Sequence, residues 1–164
     1  MHLFVVRHGI AQDRSTAAEP ARALTVRGRR RTQMAAQGLK ALGAAPGVIA
    51  TSPLTRAEET ARILAEVLCP GAEPEVLECL GPGGDASQVM TWLHDRDEDA
   101  VMLVGHMPDV AELMSLLLCG QDGMDVTFKK AAVCCLTVDP VAGAGGARLE
   151  WLLQPGQLRA LATP

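Results

Sequence analysis

The sequence predicts an α/β fold, a three-layer α/β/α sandwich with a mainly parallel sheet. Short, wholly apolar runs at 2–7, 48–51 and 100–104 alternate with helical segments, the pattern of strands buried on both faces. Each run ends abruptly in polar or small residues and a helix follows, as in strand–helix units. The chain has 164 residues, 48% of them apolar and 21% charged, the size and balance of a single domain with one core. Residues 1–164 are therefore expected to form one domain, with no repeat or linker.

The first strand, 2–7, stops at Arg7-His8-Gly9. A polar, irregular stretch runs to Leu24. Thr25 is a suitable N-cap for a helix reaching about Leu42, and Gly43 to Gly47, with Pro46, breaks the pattern. Val48 to Thr51 is a second strand. Ser52-Pro53 is expected to open the next helix, with Ser as N-cap and Pro at the first helical position, ending near Leu68. Glu75 to Leu80 reads as a weak strand and Gly81-Pro82-Gly83-Gly84 as a loop. Asp85 with Gln88 resembles a capping pair for a helix ending near Arg96. Ala100 to Val104 is another strand, stopping at Gly105-His106. Pro108 then starts a helix to about Leu118. Ala131 to Val138 and Ala147 to Leu153 read as strands around a Gly-rich turn, forming a hairpin or neighbouring strands at a sheet edge.

Composition narrows the function. The net charge is −4 and the pI about 5.5, unlike a general binder of nucleic acid or anionic membranes. Aromatic residues make up 2%, too few for base-stacking platforms. No apolar run approaches the ~18 residues of a membrane span, and the N-terminus lacks a signal-peptide pattern. Five cysteines without a Cys-x-x-Cys pair fit free thiols in a reducing cytoplasm better than a zinc site or disulfide framework. The expectation is a cytoplasmic monomer with no nucleic-acid or membrane partner.

Ligands in open α/β sheets bind beyond the carboxyl ends of the strands. Arg7 and His8 end the first strand, Arg56 follows the second in the first helical turn, and His106 follows the strand at 100–104. Two arginines supply forked donors that match phosphoryl oxygens, and nearby helix N-termini add N–H groups. Gly9 lets backbone approach a ligand closely. Each residue alone has a bland reading, such as Arg56 pairing with Glu58 or Glu59. Their joint placement at strand ends is what points to a site.

These residues lie in segments that resemble the histidine phosphatase superfamily, which includes phosphoglycerate mutases. The resemblance rests on Arg7-His8-Gly9, Leu24-Thr25-x-x-Gly28, Thr51-Ser52-Pro53-Leu54-x-Arg56-Ala57-x-x-Thr60-Ala61 and Val104-Gly105-His106-x-Pro108. Length, the Gly-Pro-Gly-Gly-Asp loop and the C-terminal strands are most similar to the short SixA-type phosphohistidine phosphatases. The resemblance implies that His8 is a nucleophile forming a phosphohistidine intermediate. It implies that Arg7, Arg56 and Gly9 hold the phosphoryl group and that His106 completes the pocket. Two guanidinium charges would keep His8 neutral, as attack requires. Such a pocket supplies positioning and charge stabilisation, so no metal or cofactor is expected.

Many mutase-like relatives carry a glutamate after the third strand that protonates the leaving oxygen. Glu78 and Asp85 are the candidates for that acid, and neither matches the expected position. An alkoxide needs a proton donor, whereas an imidazole needs far less help. The expected activity is therefore a metal-independent phosphohistidine phosphatase. Its substrate would be a phosphorylated protein, such as a phosphocarrier or a histidine-containing phosphotransfer domain. The alternatives are a small-molecule phosphomonoesterase and a non-catalytic phosphate-binding module.

The remaining features read as structure. Arg27, Arg29, Arg30 and Arg31 form a solvated helix face or, as the sharper alternative, a docking patch for an acidic protein. Gly143 to Gly146 is a turn, His94 a surface residue, and Cys134 and Cys135 face opposite sides of a strand.

Overall fold

A computed structural model describes residues 1–13, 15, 18–139, 141 and 143–162. In chain order the elements are β1 (His2–Arg7), α1 (Val26–Ala41), β2 (Val48–Thr51), α2 (Thr55–Leu68), β3 (Glu75–Val76), α3 (Ala86–His94), β4 (Ala100–Gly105), α4 (Asp109–Cys119), β5 (Val133–Val138), β6 (Ala147–Leu153) and α5 (Pro155–Leu161). The six strands form one sheet in the order β3-β2-β4-β1-β5-β6. The first four strands of that order are mutually parallel, and β5 and β6 each run antiparallel to the preceding neighbour.

Alternation along the central strands sorts side chains between two cores. Leu3 and Val5 of β1, with Val101 and Leu103 of β4, pack against Val89 and Leu93 of α3 and Leu113 and Leu117 of α4. Phe4, Val6, Met102 and Val104 face the other way, against Ala36 and Leu39 of α1, Ala57, Ala61 and Leu64 of α2, and Leu158 of α5. The sheet is thus covered on both faces, as the apolar runs predict. Cys134 and Cys135 are both buried and fall in opposite cores.

Small residues let the helices of the second layer approach closely. A Cβ placed on Gly38 of α1 would lie 1.9 Å from the Leu158 carbonyl oxygen, so only glycine fits beneath α5. The α5 helix has no counterpart in the sequence expectations. It has seven residues, and its capping box joins Gln154 to Gln157 instead of using Ser, Thr or Asp.

Three other boundaries differ from expectation. Ser52 does not cap α2, which begins at Thr55 with Leu54 as N-cap. The Ser52 N–H still donates to Val104 O at 2.9 Å, so the chain remains tied to the sheet for longer. The expected strand 75–80 shrinks to Glu75–Val76, followed by a 3-10 turn, Glu78–Leu80, that carries Leu80 into the core. Helix α3 ends at His94, and Arg96 beyond it stacks over the Trp92 ring at 4.3 Å. The caps at Thr25 and Asp85 are present, accepting from Gly28 N–H at 2.9 Å and Ser87 N–H at 2.8 Å.

Candidate active site

Strand register assembles the site. Arg7 lies opposite Gly105, and His8 N–H donates to Gly105 O at 2.9 Å. With Ser52 N–H on Val104 O, the carboxyl ends of β1, β4 and β2 meet at one edge of the sheet. That edge presents Arg7, His8, Arg56 from the first turn of α2, and His106 just past β4. His8, Arg56 and His106 are buried, at 5%, 6% and 5% exposure.

The hydrogen bonds fix the His8 tautomer. Nδ1 lies 2.7 Å from Gly9 O, which can only accept, so Nδ1 carries the proton. Nε2 accepts from Arg56 Nε at 3.2 Å and therefore holds the lone pair. Burial pushes the His8 pKa down to about 3, against the Gly9 hydrogen bond, with help from the charges of Arg56, Arg7 and Lys130. A neutral imidazole with an oriented lone pair among cations can attack an electrophilic phosphorus.

Arg7 Nη1 donates to Phe128 O at 2.6 Å, while its Nε is buried without a hydrogen-bond partner among the described residues. Arg56 Nη1 donates to Glu19 O at 2.9 Å and Nη2 to Glu19 Oε2 at 3.1 Å. Glu19, on a 3-10 turn at Glu19–Ala21, also receives Arg22 Nη1 at 2.7 Å. A phosphoryl group gripped by Arg56 would compete with that carboxylate for the guanidinium.

His106 is oriented from α4. Its Nδ1 donates to Asp109 Oδ2 at 2.8 Å, and Asp109 Oδ1 accepts from Gly83 N–H at 2.7 Å. His106 Nε2 is buried and makes no hydrogen bond among the described residues. The Gly81–Gly84 loop is thereby tied to the site through Asp109. Gly9 has a packing role too: a Cβ there would sit 2.4 Å from Thr32 Oγ1 of α1. Its N–H donates to Thr60 Oγ1 at 3.0 Å, and that hydroxyl donates to Arg56 O at 2.7 Å.

The two candidate acids stand apart from this network. Asp85 is exposed, and its carboxylate caps α3. Hydrogen bonds from Ser87 hold it below the usual carboxylate range, opposite to what a proton donor needs. Glu78 is exposed on its 3-10 turn and makes no hydrogen bond or ion pair with the four residues. Sequence reasoning missed Glu19 and Asp109. The His106-x-x-Asp109 spacing across a helix start was the available signal for the latter.

The low pKa of His8 has a consequence for stability. Between about 3 and the ordinary ~6.5 of an unfolded histidine, the unfolded chain binds a proton that the folded chain refuses. Stability from keeping His8 neutral is full above the higher value and is lost as pH falls towards the lower. Urea titrations of a His8→Asn variant are expected to show a shallower loss of unfolding free energy between about pH 6.5 and 4 than the unsubstituted protein. Equal slopes would mean that His8 titrates normally in the folded state.

No helix among the described residues is long and apolar enough to cross a membrane, and no His/Cys/Asp/Glu group there could hold a metal ion.

Residues 3–81 match the model of the histidine phosphatase superfamily (branch 1). The chain is 40% identical over 154 residues to an uncharacterized protein of Picosynechococcus sp., covering 92% of this chain and 89% of that one. It is 28% identical over 162 residues to phosphohistidine phosphatase SixA of Escherichia coli, covering 97% of each. A solved structure of the protein histidine phosphatase SixA complexed with tungstate superposes with a TM-score of 0.85 at 28% identity, covering 96% of this chain and 99% of that one. The α-ribazole phosphatase of Shigella flexneri shares the fold, with a TM-score of 0.74 at 15% identity over 94% of this chain and 97% of that one. With the strand-end arginines and histidines in place, the chain belongs to the histidine phosphatase superfamily, as a SixA-like phosphatase.

Proposed function

We propose that the protein is a metal-independent phosphohistidine phosphatase acting on a phosphorylated protein such as a phosphocarrier or a histidine-containing phosphotransfer domain. His8 Nε2 attacks the phosphorus. A new P–N bond forms to His8 as the P–N bond to the substrate imidazole breaks, and the proton that accompanies the leaving nitrogen comes from solvent. Water then attacks the phosphorylated His8, releasing phosphate and restoring the free imidazole. Arg7, Arg56 and His106 hold the phosphoryl oxygens through both steps.

The state of the nearby carboxylates carries this reading. Glu19 uses one oxygen on Arg22 and the other on Arg56, and Asp109 uses one on His106 and the other on Gly83 N–H. All four oxygens act as acceptors. A leaving alkoxide would find no carboxylic acid among them, whereas an imidazole, with an ordinary pKa of ~6.5, departs without one.

The test is hydrolysis of a phosphohistidine protein beside an alkyl phosphate monoester, both with chelator present. An aryl ester is unsuitable because its leaving group also needs no acid. We expect kcat/KM for the phosphohistidine protein to exceed that for the alkyl ester by about 100-fold or more, a difference in the range general acid catalysis supplies. Preference for the alkyl ester would place the protein among small-molecule phosphomonoesterases. Tight phosphate binding without turnover of either substrate would indicate a binding module.

A further inference from the structure

Helix α1 is built against its own electrostatics. Its first half carries Arg27, Arg29, Arg30 and Arg31, and no acidic residue lies anywhere from Val26 to Ala41. The N-terminal end of a helix dipole is positive, so cations there are unfavourable and Asp or Glu would be preferred. Arg27 and Arg31 are also one turn apart, where like charges repel. Glu59 Oε1, at 2.6 Å from Arg29 Nη2, neutralises one of the four. Arg27, Arg30 and Arg31 make no hydrogen bond or ion pair among the described residues. The charge is a local feature, because the whole chain is net −4.

The cations continue to the active site. Arg31 lines a small cleft together with Arg159 of α5 and Lys130. Desolvation, then the charges of Arg27 and Arg159, holds the Arg31 guanidinium below its ordinary range. Lys130 precedes Ala131, whose N–H lies 3.0 Å from Arg7 O and 3.1 Å from His8 O. Burial lowers the Lys130 pKa first. Arg7, Arg22 and Arg56 lower it further, and Asp13 opposes them. One cationic band therefore runs from the pocket, past Lys130, to the exposed start of α1.

We propose that this band, formed by Arg27, Arg30 and Arg31 with Lys130 and Arg159, docks an acidic surface of the protein that carries the phosphohistidine. The inference rests on the proposed function and adds the chemistry of the partner. Arg27 lies in the first turn, where the helix dipole disfavours a cation, and Arg30 and Arg31 extend its charge along the same face without an ion pair among the described residues. A complementary acidic face removes the repulsion, speeds encounter and orients the phosphorylated side chain towards His8. The band leads to the pocket, so a folded protein resting on it presents a protruding imidazole where it can react.

The test compares a histidine-containing phosphotransfer domain, with Asp and Glu around its phosphohistidine, against free N-phospho-L-histidine. In the Arg27→Glu/Arg31→Glu variant, kcat/KM for the phosphoprotein is expected to fall about tenfold or more relative to that for N-phospho-L-histidine. The change should lie mainly in KM. The unsubstituted enzyme should also lose phosphoprotein kcat/KM steeply with added salt, and the variant should not. Arg27→Ser/Arg31→Ser should give a smaller shift in the same direction, guarding against misfolding of the reversal. Arg62→Glu, on α2 and paired with Glu58, should move neither substrate. Equal loss on both substrates, no loss on either, or loss only of DNA binding would overturn the docking surface. An unsubstituted enzyme inert towards phosphohistidine in both forms would overturn the functional reading itself, and the docking proposal with it.

Discussion

His8→Ala is expected to lower turnover of every phosphorylated substrate by roughly 10⁴-fold or more and to abolish a trappable phosphoenzyme. The size of the effect follows from what the side chain supplies. In the proposed mechanism His8 Nε2 provides the lone pair that makes the new bond, and its Nδ1–H on Gly9 O orients that lone pair. Without the imidazole, only direct attack by water remains. Arg7, Arg56 and His106 would still bind and polarise the phosphoryl group, so phosphate affinity should change far less than kcat. Rapid-quench labelling with radioactive substrate reads both quantities. The label on the unsubstituted protein should be acid-labile and alkali-stable, as a P–N bond requires. A His8→Ala protein that keeps its turnover, or its label, would remove His8 from the chemistry.

The strand ends were legible because apolar residues give way there to small or polar ones within one residue, although His8 and His106 are themselves buried. Val5-Val6 gives way to Arg7-His8, and Leu103-Val104 to Gly105-His106; both transitions are in the structure. Arg56 was legible through its place in the first turn of α2. What holds these side chains was mostly illegible, because it comes from residues distant in sequence or exposed in isolation. Glu19 reaches Arg56 from 37 positions away, and Phe128 O reaches Arg7 from 121. The α5 helix was missed for a related reason. Its local sequence is short and weakly capped, and its place is set by Leu158 lying on Gly38. Ser52 misled because a Ser-Pro pair reads as a helix start, whereas its N–H still serves the sheet. The basic run was visible as composition, but that Glu59 neutralises only Arg29 among the described residues, and that the run continues to Lys130, required the fold.

Arg56 carries the second large effect, and its loss should register in two independent ways. Arg56 is 6% exposed, and its guanidinium donates to His8, to Glu19 O and to the Glu19 carboxylate. As the proposed phosphoryl clamp it would offer a planar fork to two oxygens, which an ammonium group cannot reproduce. Arg56→Ala should therefore lower kcat/KM by about 10²–10⁴-fold, the ~3–5 kcal/mol expected for losing one partner of a buried, charge-assisted pair. Arg56→Lys should recover only part of that loss. The second effect is on pH. Arg56 helps to hold the His8 pKa near about 3, so its removal lets that value rise towards the ordinary histidine range while burial still opposes it. The acid limb of kcat/KM should then move to higher pH in Arg56→Ala, because His8 becomes protonated and loses its lone pair sooner. Arg56→Lys, which keeps the positive charge, should move that limb less. An alanine variant with lower activity but an unshifted acid limb would confine Arg56 to gripping phosphate and leave burial alone to keep His8 neutral.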